Sequence, residues 1–222
     1  MSARTAVLFD LDGCIVDSLP SITRCWSQTL TAFGHPAVTE AEVRPLLGPP
    51  SDVIARRFAP DAAVTEIAAI VADYRALSVG ATDVPAYDGI PELLAGLHDA
   101  GIALAIATSK SIEVAEPLLE HLALRELFAS VQGTGIDELG TDKTTVLGRA
   151  LTQLGPDVSA LALVGDRAQD VHGAHAHAIS AIGAAWGYAA PGELEAANAD
   201  MIAAAPADVE PLIRRARAAR RA

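Results

Sequence analysis

From Ile90 onward, short apolar runs of strand length alternate with stretches of helical periodicity, and this alternation constrains the fold more than any other feature of the chain. It predicts helices over 91–100, 112–121, 144–154, around 169–177 and near 208–219. Between them it predicts strands over 102–107, near 129–132, over 160–164 and over 179–183. A further apolar run, Val7-Leu8-Phe9, supplies a strand near the N-terminus. Alternating β and α elements of this length build a parallel sheet with right-handed crossovers, so the fold class is α/β with a Rossmann-like parallel sheet.

The segment between the first strand and Ile90 reads differently. Ser18 is placed to N-cap a helix with Pro20 in its first turn, running to about Gly34. Three more helical stretches follow over 40–47, 52–58 and 64–80, with no strand-like alternation between them. Pro85 and Gly89 then break the pattern, and 83–89 reads as a return linker. The expectation is a core of residues 1–17 and 84–222, with a small all-helical unit of residues 18–83 inserted after the first strand.

The chain has 222 residues, enough for one good core and a small second unit. Sixteen Lys and Arg against 28 Asp and Glu give a net charge of -12, which argues against nucleic acid or an anionic membrane as partner. The basic end, from Arg214 to Arg221, is read as cations that complement a helix C-terminus. Two cysteines, Cys14 and Cys25, cannot make a disulfide framework, and nothing ahead of Val7 resembles a signal peptide. A cytoplasmic enzyme, monomeric or homodimeric, is the resulting expectation. Cys14 is expected as a small buried residue. His172, His175 and His177 contain no i, i+4 pair, so they do not read as a zinc site.

Chemistry is expected where apolar strands end in acids. Asp10-Leu11-Asp12-Gly13 closes the first strand, at the carboxyl edge where open α/β sheets build their ligand sites. Thr108-Ser109-Lys110 follows a second apolar strand and offers hydroxyl and backbone donors. Lys143 opens a helix after Thr141-Asp142. Gly165-Asp166-Arg167-Ala168-Gln169-Asp170 again sets acids beyond a strand.

In this order the four segments resemble the motifs of the haloacid dehalogenase-like phosphohydrolases. The resemblance implies that Asp10 is a nucleophile forming an aspartyl phosphate, and that Asp12 is the general acid and base. It implies phosphate binding by Gly13, Thr108 and Ser109, and charge neutralisation by Lys143. Lys110 is expected at the rim, pointing outward. Metal binding is assigned to Asp10, Asp12 (through its backbone carbonyl), Asp166 and Asp170, and an all-oxygen set that leaves room for water and phosphate suits Mg²⁺. Electrostatics points the same way: two carboxylates 4 Å apart repel by roughly 4 kcal/mol at an effective dielectric of 20, and one lysine cannot offset four acids and a phosphate.

The inserted helices correspond to this family's cap. Within them Arg44-Pro45-Leu46-Leu47-Gly48-Pro49-Pro50 resembles a loop of the phosphoglycolate phosphatase-like subfamily, which makes Arg44 the cap candidate for a second anionic group on the substrate. A small phosphorylated metabolite is the implied partner. A sugar-phosphate mutase like β-phosphoglucomutase, a pyrophosphatase or a nucleotidase would use the same framework. A non-catalytic binding module is the alternative of a different class, and the intact acids with Lys143 speak against it.

Overall fold

The computed structural model describes residues 4–135, 138 and 140–219. Arg220 and Arg221 of the basic end lie outside the described residues. The sheet has six strands: β1 (Arg4–Phe9), β2 (Ala103–Ser111), β3 (Phe128–Thr134), β4 (Val158–Gly165), β5 (Ser180–Ala184) and β6 (Met201–Ala203). Their order is β3-β2-β1-β4-β5-β6, and every pairing is parallel. The chain reverses its direction of winding between β1 and β4, so the crevice of the sheet opens at the end of β1.

Strand periodicity divides the core into two layers. Val7 and Phe9 of β1 face one apolar cluster, while Leu8 between them faces the other. The first layer is covered by α5 (Ile90–Asp99), α6 (Ile112–His121) and α10 (Val209–Ala219), through Leu94, Leu118 and Ile213. The second is covered by α7 (Lys143–Leu154) and α8 (Ala168–Ala176), through Leu147 and Val171 against Ala105 and Ala107. Alanines on this face let the helices sit close to the sheet.

Between β1 and α5 stand four helices: α1 (Leu19–Ala32), α2 (Glu40–Val43), α3 (Ser51–Phe58) and α4 (Val64–Val79). They share their own apolar cluster around Trp26, Leu30, Ile67 and Ile70. Trp26 stacks on Tyr74 at 4.0 Å between ring centroids, a contact worth roughly 0.5–1.5 kcal/mol beyond area burial. The outgoing and returning chains run side by side, with Asp17 N donating to Pro85 O at 3.0 Å and Tyr87 N to Ile15 O at 3.0 Å.

Several expectations need correction. Ser18 makes no capping bond. The Leu19 amide is met instead by Tyr188 Oη at 2.9 Å, a partner far along the chain. The helix expected over 40–47 ends at Val43 and tightens into a 3₁₀ turn over 44–46, where Pro45 lacks the N–H needed to continue. β2 runs four residues past the expected end at 107, through Thr108-Ser109-Lys110-Ser111. The sequence reading also missed β6 and α9 (Glu193–Ala196), which are too short to show a period.

Candidate active site

β1 ends at Phe9, and the chain turns at once, setting the Asp10 and Asp12 carboxylates at the strand's end. The turn depends on Gly13, whose φ is +81°, a left-handed conformation that glycine adopts freely. Space also requires it, because a Cβ there would lie 2.3 Å from Asp166 Oδ2. The Gly13 amide, expected to bind phosphate, donates instead to Val16 O at 2.9 Å. Gly13 therefore shapes the loop and offers no N–H to a ligand.

Lys143 ties the motifs together. It is the first residue of α7, started by the Asp142 carboxylate, which accepts from Thr145 N at 2.8 Å. Its Nζ lies 2.7 Å from Asp10 Oδ1 and 2.7 Å from Asp170 Oδ1, in a buried setting. Burial alone would pull the Lys143 pKa down, but Asp10 and Asp170 outweigh it and raise it, so the ammonium stays charged. Asp170 is held from its other oxygen by the Arg167 amide at 3.0 Å.

Asp166 follows β4 and is fully buried. Its Oδ2 accepts from Tyr188 N at 2.7 Å, while Oδ1 has no hydrogen-bond partner among the described residues. Asp10, Asp166 and Asp170 each present a carboxylate oxygen within 4.8 Å of the others. Burial pushes the Asp10 carboxyl up to about 6, against the downward pull of Lys143. Asp166 is raised well above the carboxylate range, by burial first and then by the charges of Asp170 and Asp10. Three buried acids with one lysine and an orphaned oxygen form a donor set that fits a hard divalent cation.

Thr108 and Ser109 line the same cavity as Asp10 and Lys143. Thr108 is buried, and its Oγ1 accepts from Lys110 N at 3.2 Å. Lys110 overturns the expectation of an outward, rim position. Because the strand continues past 107, Lys110 falls on the same side as Thr108, and its Nζ reaches Asp12 at 2.9 and 3.1 Å from the two carboxylate oxygens. Burial would lower the Lys110 pKa, but Asp12 more than compensates and raises it.

Arg44 is also corrected. It is exposed, its guanidinium sits over the Tyr188 ring at 5.4 Å and reaches Gly187 O at 3.5 Å, and it is absent from the lining of the cavity. The 3₁₀ turn at 44–46 directs it to the outside. Arg75 of α4 lines the cavity in its place.

Other groups escaped the sequence reading. Arg167 clasps the inserted helices to the core: it donates to Leu47 O, to Arg44 O at 3.4 Å and to Pro45 O at 3.4 Å, and is held from behind by Glu193 at 2.9 Å. Tyr188 joins Asp166, Asp17 and Leu19 in one network, with its hydroxyl donating to Asp17 Oδ1 at 2.9 Å. Only an arginine inside the acidic motif and an aromatic after a strand signalled them. Cys14 is buried, and burial with the nearby Asp10 pushes its thiol up, so it is no nucleophile. His175 pairs with Asp200 at 3.1 Å and His177 with Thr144 O at 2.9 Å. No helix among the described residues is long and apolar enough to cross a membrane.

Comparison with known proteins agrees with the fold. Tyrosine-protein kinase PtkA of Mycobacterium tuberculosis is 37% identical over 183 residues, which is 82% of this chain and 62% of that protein. The chain thus spans less than two thirds of PtkA. A phosphoglycolate phosphatase of Agrobacterium fabrum is 33% identical over 190 residues, 82% of this chain and 80% of the relative. The crystal structure of a predicted phosphatase from Clostridium acetobutylicum superposes with a TM-score of 0.83 at 28% identity, covering 97% of this chain and 98% of that one. Residues 7–184 match the family described as Haloacid dehalogenase-like hydrolase. The chain belongs to the haloacid dehalogenase-like hydrolase family, in its phosphoglycolate phosphatase-like subfamily.

Proposed function

We propose that the chain is a Mg²⁺-dependent phosphatase that hydrolyses a small phosphomonoester through a phosphorylated Asp10. The reading is carried by Lys143, which sits 2.7 Å from both Asp10 and Asp170 beside the buried Asp166. Asp10, Asp166 and Asp170, with the backbone carbonyl of Asp12, would hold the metal. When bound, Mg²⁺ would offset the carboxylates and draw charge from the phosphoryl oxygens.

Asp10 attacks phosphorus with one carboxylate oxygen. Lys143 stabilises the charge that builds on the transferring group, while Thr108 and the Ser109 backbone orient its oxygens. As the bond to the leaving oxygen breaks, Asp12 gives that oxygen a proton. Asp12 then takes a proton from water, the water oxygen bonds to phosphorus, and the bond to Asp10 breaks to release phosphate. Lys110 holds Asp12 between these steps.

The cavity is lined by the core residues Asp10, Thr108 and Lys143 and by the inserted helices through Ile22, Ile54 and Tyr74. A second reading, transfer to a protein hydroxyl, is favoured by the identity to PtkA. It would require a protein hydroxyl to reach Asp10 past the inserted helices that line the cavity. Phosphate release from a panel of small phosphomonoesters, with and without Mg²⁺, tests the proposal. Metal-dependent release that Asp10→Asn removes supports it. No release from any phosphate in the presence of Mg²⁺ would sink it.

A further inference from the structure

The segment 44–48 of the inserted helices rests on Arg167 and Gln169 of the core, directly before Asp170. Arg167 is buried, and its guanidinium is held on two sides. On one side Nε donates to Glu193 Oε1 at 2.9 Å, and the same oxygen accepts from Ala168 N at 3.0 Å. On the other, the terminal nitrogens donate to Arg44 O and Pro45 O, each at 3.4 Å, and to Leu47 O. The closing carbonyls of a helical segment lack amide partners further along, so the guanidinium supplies donors that water would otherwise provide. Gly48 completes the seat. Its φ is +110°, and a Cβ there would come 3.2 Å from Gln169 Nε2, so the segment lies flat against that carboxamide.

The residue that receives this segment also aims an acid of the site. Arg167 precedes α8 in an extended conformation, with φ −128° and ψ 160°. Its amide donates to Asp170 Oδ2 at 3.0 Å, and its carbonyl accepts from Asp170 N at 3.0 Å. This is the backward reach of a capping box, and it fixes the Asp170 carboxylate through the backbone of residue 167. Asp170 Oδ1 lies 2.7 Å from Lys143 Nζ, whose other contact is Asp10 Oδ1 at 2.7 Å. A chain of buried contacts therefore runs from the 44–48 segment through Arg167 and Asp170 to Lys143 and Asp10.

We propose that Arg167 is a positioning residue that couples seating of the 44–48 segment to the alignment of Lys143 on Asp10. The inference rests on the phosphatase reading above and gives the arginine within the acidic motif a part in the reaction. Its guanidinium meets the three carbonyls only while the segment is seated, so the seated segment and the aligned ammonium stabilise each other. When the segment lifts, Arg167 keeps only its Glu193 anchor and its backbone is freed to turn. The Asp170 carboxylate then loses its aim, and Lys143 stabilises the transferring phosphoryl group less well.

Hydrogen exchange read by mass spectrometry, with Mg²⁺ present, tests the coupling without turnover. Arg167→Gln is expected to speed exchange at least about threefold in peptides covering 44–50 and 143–147, and to leave α10 unchanged. Arg167→Lys keeps a charge beside Glu193 but loses the fork that spans the carbonyls, and should fall between the two. Gly48→Ala alters only the inserted segment and keeps the test open if the Arg167 variants do not fold. It too should speed exchange over 143–147. In hydrolysis of p-nitrophenyl phosphate, Arg167→Gln should lower kcat about tenfold and change KM by less than about threefold, because the lost alignment acts in the transition state. Faster exchange over 44–50 alone overturns the proposal, since Arg167 would then only seat the helices. Unchanged exchange in both peptides overturns it, as does equal acceleration throughout the chain. A raised KM at unchanged kcat also overturns it. Coupled exchange as predicted in a protein that hydrolyses no phosphomonoester supports the coupling and counts against the phosphatase reading alone.

Discussion

Lys110 grips Asp12 with its ammonium 2.9 and 3.1 Å from the two carboxylate oxygens. Both side chains are largely shielded from water, so the pair is not a surface ion pair of negligible strength. Lys110→Met should lower kcat/KM by about tenfold or more, because the carboxylate proposed to transfer the proton loses the group that aims it. Lys110→Arg should recover part of the loss. Steady-state kinetics of the two variants checks this, and wild-type rates for Lys110→Met would exclude a role for the contact.

The raised pKa of Asp10 makes a pH prediction for the metal-free protein. In the unfolded chain the carboxyl titrates near 3.8, and in the fold at about 6. The folded state therefore binds this proton more tightly, and stability falls as pH rises from about 4 to 6. The full effect is on the order of 3 kcal/mol. In a chelator, Asp10→Asn should match the wild type near pH 4 and exceed it in melting temperature by pH 7.

Mg²⁺ should raise the melting temperature of the wild type at pH 7 by several degrees, since under the proposed function the folded acid cluster would hold it and the unfolded chain would not. Asp166→Asn should remove that shift. It should also stabilise the metal-free protein, because burial already disfavours the Asp166 charge. Thermal melts with and without Mg²⁺ read both outcomes.

Gly13→Ala combines a positive φ with a Cβ 2.3 Å from Asp166 Oδ2. The substitution should cost about 2 kcal/mol or more and displace Asp166 from the cluster. Denaturant melts should detect the first effect and loss of Mg²⁺-induced stabilisation the second.

What the sequence made legible followed from periodicity and from where acids fall. The apolar run Val7-Leu8-Phe9 marked a buried strand, which the structure places between two apolar layers, and the strand-ending acids at 10 and 166 marked the crevice. Spacing could not tell where β2 stops, because Thr108-Ser109-Lys110 serves equally as a strand end or a helix start. Lys110 was turned the wrong way for that reason. Arg44 sits in a three-residue 3₁₀ turn and Arg75 on α4, and how each is rotated follows from packing in the inserted helices' own apolar cluster, which no local pattern encodes. The Tyr188 contacts to Asp17 and Asp166 join residues 171 and 22 positions apart, so only the folded chain reveals them.

The central claim is that Asp10 carries the phosphoryl group. A rapid acid quench of the enzyme turning over a small phosphomonoester with Mg²⁺, followed by peptide mass spectrometry, tests it most directly. One added phosphoryl group on the peptide containing Asp10, absent in Asp10→Asn, is the predicted result. Turnover with no phosphorylated peptide, or with the label on another residue, would contradict it.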